Sequence, residues 1–452
     1  MKRPEQSASA GGFERPEQPA PAGGFERPEQ PASAGGFQKP ELLAPAGGFT
    51  KPEQPAPAGG FRKPELLAPA GDFEKLKTAL YFGADAVYLG GKQFSLRSFA
   101  GNFTAEEMKE AVSYAHARGK KVYVAANIFA RNADFPALAD AFAYLQKIGA
   151  DAALVSDPGA FALARRVAPR LPLHISTQAN TTNRYAAAFW REQGAERVVL
   201  ARELSLAEIA EIHAAEPTLE LEAFVHGAMC ISYSGRCLLS NYLAGRDSNR
   251  GACIQACRWK FTVRAREGGG ECPVEEDARG SYIFNSKDLN MLPHLSALAE
   301  AGVCSFKIEG RMKSRYYLAT VVNAYRRVMD GAMTVEEGQA ELRKAAHRDF
   351  TAAYAFGGNE ETGSYANSQR QGTHEYVADV LEDGLVQMRN RFRVGDELEV
   401  LSPSRSCGKT FVVRAMEDEA GAPVEDAKLV MQKLRLACPV PLAAGDILRR
   451  RS

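Results

Sequence analysis

Residues 63–91 read KPELLAPAGDFEKLKTALYFGADAVYLGG, and this stretch carries the clearest fold signal in the chain. A short apolar run at 65–68 is followed by a helical pattern at 73–82 and a second apolar run at 86–89. Short apolar runs bounded by Gly and Pro are typical of buried strands, whereas apolar residues three and four apart are typical of an amphipathic helix. The stretch therefore predicts one strand–helix–strand unit.

The same alternation continues towards the C-terminus. Further apolar runs lie at 121–126, 152–155, 173–176, 197–201, 220–225, 282–285 and 305–309, with helical patterns at 105–118, 135–148 and 206–214. Strands that alternate with helices predict a parallel sheet. Because no G-x-G-x-x-G turn follows the first strand, the pattern favours an α/β, TIM-like (β/α) barrel over a doubly wound sheet.

In such a barrel the loops that follow the strands carry the function. Here polar residues follow nearly every predicted strand, and the fifth strand leads into the polar run from His174 to Asn180. Any single one of these residues is equally well explained as a helix cap or a turn. Their convergence on one rim favours a site, for which the candidate catalytic residues are Gln178, His226, Lys287, Glu309 and Arg311.

Residues 222–261, the cysteine segment, read EAFVHGAMCISYSGRCLLSNYLAGRDSNRGACIQACRWKF. They contain four of the eight cysteines, namely Cys230, Cys237, Cys253 and Cys257. Four thiolates suit either zinc or a 4Fe-4S cluster, but structural zinc sites usually show two tight cysteine pairs, and only Cys253 and Cys257 make a near pair here. The spacing favours a 4Fe-4S cluster. Zinc and reduced structural cysteines remain alternatives, and Cys272 is near enough in sequence to replace one ligand.

A hydrolase would need a nucleophile and a base. The chain has neither a G-x-S-x-G elbow nor an H-E-x-x-H motif. His226 and Cys230 are four residues apart and could form a Cys–His protease pair. The three further thiols nearby argue against this interpretation, because they would compete as metal ligands.

Several ordered motifs resemble one known family. The pattern E-x-F-x2-G-x-M-C-x4-G-x-C-x-L-S, from Glu222 to Ser240, is similar to the signature of the collagenase-like U32 peptidase family. The stretch at 63–91, NSKDL at 285–289 and FKIEGRMKS at 306–314 resemble the opening and closing elements of that family. The rest of the cysteine segment resembles the branch that hydroxylates RNA.

This resemblance implies a barrel with the cysteine segment inserted after the seventh strand. It further implies an enzyme that converts the wobble uridine of tRNA to 5-hydroxyuridine, depends on prephenate as co-substrate or ligand, and holds a 4Fe-4S cluster with Cys230, Cys237, Cys253 and Cys257. Two alternatives stay open. One is hydroxylation of another RNA or a small ring substrate on the same fold, and the other is a cytosolic peptidase of this family with a structural zinc.

Four regions are predicted along the chain. They are repeats at 1–62, the barrel at 63–333, a helix and linker at 334–373, and a small β-barrel at 374–452. The repeats have a twelve-residue unit rich in Pro, Gly, Ala, Glu and Gln, a composition that predicts disorder. The last region resembles the C-terminal domain of the tRNA-modifying branch, which favours tRNA as substrate and suggests that 374–452 binds it. The branch acting on ribosomal RNA typically has a longer chain.

Composition is that of an ordinary globular enzyme, with 45% hydrophobic residues and a net charge of +1. No apolar stretch is long enough for a membrane span, and the N-terminus lacks the apolar core of a secretory signal. We therefore expect a cytoplasmic protein without a membrane partner. The sequence does not indicate an oligomeric state.

Local charge makes an RNA partner plausible despite the low net charge. Seven basic residues and one acid lie between Arg236 and Arg266, and six basic residues and one acid lie between Lys307 and Arg327. Arginines also occur at 389, 391 and 393 and at 449–451. Arginine pairs with phosphate and stacks on bases, so these groups are predicted RNA contacts. Phe94, Phe99 and Phe103 could stack a base, although packing within their loop explains them as well.

Overall fold

An eight-stranded parallel barrel forms the first part of the fold. The computed structural model describes residues 63–95, 101–230, 232–258, 276–277, 280–281, 287–357 and 371–452. The strands before residue 352 are β1 (Glu65–Pro69), β2 (Ala86–Gly90), β3 (Lys121–Ala125), β4 (Ala152–Val155), β5 (Leu173–Ile175), β6 (Arg197–Val199), β7 (Glu220–Ala228), β8 (Glu276–Asp277), β9 (Gly280–Ser281), β10 (Asp288–Asn290), β11 (Val303–Ile308) and β12 (Phe350–Thr351). Strands β1 to β7 and β11 run parallel, and β11 pairs with both β7 and β1, which closes the barrel. The predicted TIM-like α/β fold is confirmed.

Helices connect successive barrel strands and pack against their outer faces. The helices are α1 (Phe73–Tyr81), α2 (Ala105–His116), α3 (Phe135–Ile148), α4 (Pro158–Val167), α5 (Arg184–Glu192), α6 (Leu206–Ala215), α7 (Leu239–Ala244), α8 (Leu295–Glu300), α9 (Arg315–Met329) and α10 (Val335–Leu342). Asp157 accepts a hydrogen bond from the Ala160 N–H and so caps α4. Thr104 and Glu107 form a reciprocal capping box at α2. Some of the polar residues that follow strands therefore serve as helix caps.

The chain between β7 and the last barrel strand differs from the predicted pattern. The predicted strand at 282–285 falls outside the described residues. The next strand, β10, runs antiparallel to the end of β7, with Leu289 opposite Gly227, and pairs on its other side with β12. The eighth barrel strand is therefore β11, which begins at Val303 rather than at the predicted residue 305.

Charged side chains occupy the barrel interior near the amino ends of the strands. Arg197 Nη1 lies 2.7 Å from Glu65 Oε1 and 3.1 Å from Glu222 Oε2. Lys307 Nζ lies 2.6 Å from Glu222 Oε1, and the Tyr123 hydroxyl donates to Glu65. We call these five residues the interior ion-pair cluster. Because buried charges need partners to offset their lost hydration, the cluster favours a single register of the strands that carry it.

A second, antiparallel sheet follows the barrel. Its region contains β13 (His374–Val380), β14 (Val386–Met388), β15 (Phe392–Arg393), β16 (Glu397–Leu401), β17 (Thr410–Val412), β18 (Met416–Glu417), β19 (Asp426–Ala427), β20 (Lys433–Leu436) and β21 (Ile447–Arg451). Seven strands join in the order β17-β16-β21-β13-β14-β20-β18 over a core of their own, and β15 pairs with β19. This is the predicted small β-barrel, in the form of an open half-barrel.

Two stretches in this part of the chain differ from what their sequence pattern predicts. The pattern at 335–347 predicts a helix over the whole stretch, but α10 stops at Leu342. The pattern at 428–433 predicts a strand, which is wrong, since β20 begins only at Lys433. The apolar residues Leu429 and Val430 lie in an exposed turn, in which Met431 has a φ of 60°.

The half-barrel packs against the helices that follow β11. Arg315 Nη1 lies 2.7 Å from Asp379 Oδ1, and the rings of Tyr316 and Tyr376 stack with centroids 5.8 Å apart. Leu401 and Ile447 of the half-barrel belong to the hydrophobic core of the barrel side. The two parts therefore share buried surface. Within the described residues, no helix combines the length and apolar character needed to cross a membrane.

Candidate functional site

The carboxyl ends of the barrel strands surround a small polar cavity of about 60 Å³, called here the mouth cavity. Its lining includes Asn127, Gln178, Arg202, Lys307, Glu309 and Arg311. These residues follow or end strands β3, β5, β6 and β11, which is why distant parts of the sequence meet here. Sites of TIM-like barrels lie at this end.

The cysteine segment crosses this end of the barrel. Arg250 donates to both carboxylate oxygens of Asp134, at 2.7 and 3.0 Å, and to the carbonyl oxygen of Phe129, all in the loop after β3. Asn180, which follows β5, donates to the carbonyl oxygen of Ser234 and accepts from Arg236. These contacts hold the cysteine segment against the loops that follow β3 and β5.

A second cavity of about 240 Å³, the cysteine cavity, lies between the segment and the barrel. All four candidate ligands line it, namely Cys230, Cys237, Cys253 and Cys257. Gln178, Arg202 and Glu309 line both this cavity and the mouth cavity. The structure thus places the four cysteines and three polar barrel residues around adjoining spaces.

None of the four cysteines forms a disulfide. Among the residues that the structure describes, no group of three or more His, Cys, Asp and Glu side chains is placed to hold a single metal ion. A zinc ion needs four ligands within about 2.3 Å of one point, whereas a cluster of four irons is larger and takes thiolates spread around it. The four thiols that line the cysteine cavity are a donor set that either group can take. Cys272 lies outside the described residues.

Arg202 is the barrel residue most closely tied to the cysteines. It follows β6, and its Nη2 lies 3.6 Å from Cys230 Sγ and 2.7 Å from Ser234 Oγ, while Nη1 donates to the carbonyl oxygen of Ala228. Arg202 is thus a hydrogen-bond donor to a candidate ligand sulfur. Arg202 is not among the catalytic candidates that the sequence predicts. Its position directly after a barrel strand was the available signal.

Glu309 and Arg311 follow β11 and reach the mouth cavity, as the sequence predicts for that strand exit. The backbone N–H of Glu309 donates to the carbonyl oxygen of His226. Arg311 is buried and donates to Ser95 Oγ and Asn102 Oδ1. A Cβ on Gly90 would lie 2.6 Å from Arg311 Nη2, so a larger residue there would displace the guanidinium.

Gln178 belongs to a network of side chains at the mouth. Asn127 Nδ2 donates to Ser176 Oγ and to Gln178 Oε1, both at 2.9 Å. The Ser176 hydroxyl also donates to Gln178 Oε1. Asn127 Oδ1 is buried without a hydrogen-bond partner in the described structure. Asn127 and Ser176 were not ranked as candidates from the sequence.

His226 and Lys287 do not reach either cavity in the described structure. His226 lies in β7, where its ring packs against those of Tyr317, Tyr325 and Phe350. Burial lowers its pKa to about 3, so the imidazole is neutral. Because β7 is a strand, a spacing of four residues does not pair His226 with Cys230 as it would on a helix. Lys287 directly precedes β10.

Most of the predicted basic RNA contacts near the C-terminus are paired with carboxylates. Arg449 is fully buried, and its Nη1 and Nη2 donate to Glu341 at 2.5 and 2.8 Å. The other pairs are Arg389 with Asp379, Arg391 and Arg393 with Asp426, and Arg450 with Glu375 and Asp396. The prediction that Arg449 contacts phosphate is therefore wrong, because this side chain joins the half-barrel to α10.

The group from Lys307 to Arg327 serves the interior in the same way. Lys307 and Arg311 point into the barrel, and Arg315 and Arg326 pair with Asp379 and Asp85. Phe103 is also buried, which supports packing over base stacking, and Phe99 lies outside the described residues. The clusters of basic residues in the sequence therefore predict more positively charged surface than the structure has.

A barrel whose mouth is covered by a cysteine-rich segment defines the class of this protein. The profile of Peptidase family U32 matches residues 71–364, and the profile of the Peptidase family U32 C-terminal domain matches residues 372–449. The chain belongs to the U32 peptidase family.

Relatives in this family cover most of the chain. tRNA hydroxylation protein P1 of Bacillus subtilis is 40% identical over 391 residues, which are 83% of this chain and 92% of the relative. tRNA hydroxylation protein P of Escherichia coli is 36% identical over 76% of this chain and 87% of its own length. The 23S rRNA 5-hydroxycytidine C2501 synthase of Escherichia coli is 36% identical over 60% of this chain, but the match spans only 39% of that protein.

Proposed function

We propose that this protein is a tRNA-modifying enzyme that hydroxylates the wobble uridine to 5-hydroxyuridine, with a 4Fe-4S cluster and with prephenate as co-substrate or ligand. The observation that carries the proposal is the cysteine cavity, which adjoins the mouth of the barrel and is lined by four cysteines that form no disulfide. The names of two relatives similar over most of the chain support the reaction type. Hydroxylation at C5 of uridine is an oxidation, so a redox centre beside a base pocket is chemically reasonable.

Cys230, Cys237, Cys253 and Cys257 would hold the cluster, which when bound supplies a one-electron redox centre. The protein already surrounds two of these sulfurs with donors. Arg202 lies beside Cys230, as described above, and the backbone N–H of Gln255 and the Ser240 hydroxyl lie 3.4 and 3.9 Å from Cys253 Sγ. Hydrogen bonds to thiolate ligands favour the electron-rich state of a cluster and tune its potential.

Chain architecture favours tRNA over ribosomal RNA. This chain and the tRNA hydroxylation protein P1 match over 92% of the relative, including the half-barrel region. The ribosomal RNA synthase contains more than half of its length outside the match. The arrangement of domains in this chain thus has a close parallel in a relative that is named for tRNA. This parallel favours a substrate of tRNA size.

RNA can approach the cavities over the outer face of the cysteine segment. Tyr233 and Tyr242 are exposed there, at 47% and 87%, beside the exposed residues Arg236 and Arg246. Aromatic rings that stack bases and arginines that contact phosphate are the usual means of holding single-stranded RNA. This face therefore replaces the paired C-terminal arginines as the proposed RNA surface.

Basic groups around the two cavities support a carboxylate ligand such as prephenate. Arg202 and Arg311 line the mouth cavity, and Lys313 lines the cysteine cavity. Both Nη atoms of Arg202 and of Arg311 already donate to protein groups, so these arginines would attract a carboxylate through their charge. The proposal places the carboxylates of prephenate among these groups.

The test begins with protein purified without oxygen. We expect about four irons per chain and brown colour, no colour in Cys253→Ser, and an unchanged spectrum in Cys438→Ser, whose thiol lies in the half-barrel near the Val440 carbonyl oxygen. Stoichiometric zinc without iron would refute the cluster and favour a peptidase with structural zinc. Mass spectrometry of tRNA nucleosides from a deletion strain should show loss of 5-hydroxyuridine. Its persistence would contradict the proposed reaction and favour another RNA or a small ring substrate.

A further inference from the structure

The two pairs of cysteines in the cysteine segment are attached to the barrel in different ways. Cys230 comes directly after β7, which ends at Ala228, so the strand itself places this residue. Cys253 follows the same strand by about 25 residues, a connection long enough that the chain alone does not fix its position. Cys253 and Cys257 therefore depend on non-covalent contacts to stay at the cysteine cavity.

A turn at residues 247–251, called here the anchor turn, supplies such contacts. Its Arg250 donates to both carboxylate oxygens of Asp134, at 2.7 and 3.0 Å, and to the carbonyl oxygen of Phe129 at 2.6 Å. In return, the backbone N–H of Phe129 donates to the carbonyl oxygen of Asn249 at 3.2 Å. These hydrogen bonds join the anchor turn to the loop after β3.

The anchor turn also contacts the first pair of cysteines. The Ser248 hydroxyl donates to the carbonyl oxygen of Cys237 at 2.6 Å, and Asn249 Nδ2 donates to the same oxygen at 3.2 Å. Both Ser248 and Asn249 line the cysteine cavity, and Cys253 follows the turn after one residue. One turn therefore touches the backbone of Cys237 and leads into Cys253.

The loop that receives the anchor turn forms part of the mouth cavity as well. It leaves β3 after Ala125, and its Asn127 lines that cavity. The hydrogen bonds from Arg250 lower the pKa of Asp134 to about 2, so this carboxylate is charged. Bidentate pairs of arginine and carboxylate are stronger and more directional than single hydrogen bonds. The contact thus fixes the anchor turn with respect to the mouth of the barrel.

We propose that Arg250 and Asp134 are a positioning pair, which keeps Cys253 and Cys257 beside the first two cysteines and beside the mouth cavity before any metal is bound. This inference rests on the proposed function, because it takes the four cysteines to be the ligands of one cluster. The pair touches neither the cluster nor the substrate and acts through the anchor turn. Ligands that are held in place by such supporting contacts retain a metal group more tightly.

The first experiment measures the rate at which anaerobically reconstituted protein releases iron to a chelator. Arg250→Met and Asp134→Asn should release iron roughly tenfold faster or more. Arg250→Lys should fall between them and the unaltered protein, because lysine keeps the charge but not the bidentate geometry. Arg131→Ala is the matched control. Arg131 Nη2 lies 3.8 Å from Asp247 Oδ2, between the same two parts of the chain, but its side chain is 75% exposed, so the rate should not change.

The second experiment separates positioning from general stability, by hydrogen exchange in metal-free protein. In the anchor turn the backbone N–H groups of Asn249 and Ala252 donate to Asp247, so peptides covering 247–258 report on its structure. They should exchange slowly in the metal-free unaltered protein and fast in metal-free Arg250→Met, whereas the barrel strands should stay protected in both.

Three results would overturn the inference. One is fast exchange at 247–258 in the unaltered protein, since the site would then form only with the metal. Another is loss of protection throughout the barrel of Arg250→Met, since the pair would then stabilise the whole fold. The third is an unchanged rate of iron release in folded Arg250→Met.

The two proposals fail in different ways. Normal iron retention and normal formation of 5-hydroxyuridine in Arg250→Met would remove the positioning pair and leave the proposed function intact. Zinc without iron in the unaltered protein would remove the proposed cluster, whereas slow exchange at 247–258 without metal would still show that the cysteines are held in place.

Discussion

Lys307 Nζ lies 2.6 Å from Glu222 Oε1 in the centre of the barrel, and both residues are excluded from solvent. Arg197 adds a second cation on the other carboxylate oxygen, at 3.1 Å. Burial alone would raise the pKa of Glu222, but these two cations outweigh it and lower the pKa to about 2. The Glu222 carboxylate is thus charged. Lys307 and Arg197 need this negative charge to offset the cost of their own burial.

Glu222→Ala should lower the free energy of unfolding by about 3–5 kcal/mol, because it leaves Lys307 buried without its carboxylate. Glu220 provides the matched control, since it pairs with the same Arg197 but its side chain is 47% exposed. Glu220→Ala should cost less than about 1 kcal/mol. Urea denaturation of both variants measures the difference, and equal losses would show that the interior pair is not a source of stability.

The same carboxylate predicts a dependence of stability on acid. Its pKa in the folded protein, about 2, is lower than the ordinary value of 4.5, so its contribution is fully present above pH 4.5 and is lost as the pH falls towards 2. The advantage of the unaltered protein over Glu222→Gln should therefore shrink across this range, by on the order of 3 kcal/mol. Urea denaturation at pH 5, 4 and 3 tests this. If the difference in unfolding free energy between the unaltered protein and Glu222→Gln did not change with pH, Glu222 would not be charged in the folded state.

Arg449→Ala should destabilise the junction between α10 and the half-barrel by about 3–5 kcal/mol, since Glu341 would be left buried without its cation. Arg451→Ala, two residues away at an exposed position, should cost less than about 0.5 kcal/mol. Thermal unfolding of both variants gives the comparison. If Arg451→Ala proved equally harmful, strand β21 rather than the buried pair would be responsible.

Gly235→Ala should disturb the site from within the cysteine segment. A Cβ there would lie 2.8 Å from Gln178 Cγ, at a backbone φ of +77°. Gly245 of the same segment also has a positive φ, of +61°, but nothing lies within 4 Å of its Cβ position. Both alanine variants should lose about 1 kcal/mol of stability from backbone strain. Only Gly235→Ala should also reduce the rate of tRNA hydroxylation, by roughly tenfold or more. Equal rates would show that the contact with Gln178 can relax.

Binding of tRNA should weaken steeply with salt, because phosphate contacts release counterions. Arg246→Ala on the outer face of the cysteine segment should reduce the slope of log affinity against log salt by about one. Arg118→Ala, at an exposed position at the end of α2, should leave the slope unchanged. Point variants are preferable to deletion of residues 374–452, since Leu401 and Ile447 belong to the core on the barrel side. An unaltered slope in Arg246→Ala would place the RNA elsewhere.

Periodicity was sufficient to predict β1 to β7, because each strand is a short apolar run whose two faces are both buried. It could not predict that β10 turns antiparallel to β7, since direction depends on pairing partners and not on local pattern. Gln178, Glu309 and Arg311 could be predicted to lie at the rim because each directly follows a predicted strand or ends it. His226 was predicted at the rim because the apolar run ends at residue 225, but β7 continues to Ala228 and the side chain lies within the strand beside Tyr325.

Basic residues were the least predictable part of the site. A cluster of arginines in the sequence shows how much positive charge is nearby, but it does not show where the matching carboxylates lie. Asp379 and Asp426 are close in space to arginines from several elements, and these pairs form only when the half-barrel folds. The network of Asn127, Ser176 and Gln178 likewise depends on two strands meeting at one end of the barrel.

The pairing of Glu65 in β1 with Ser305 in β11 has a consequence for synthesis of the protein. One edge of β1 has no strand to join until about 240 further residues have been made, a separation that gives slow closure of the sheet. During translation the earlier strands can assemble as an open sheet, and the cysteine segment leaves the ribosome before the strand that seals the barrel. The thiols of the segment are therefore made while the barrel is not yet closed, and this order is set by the position of the segment in the chain.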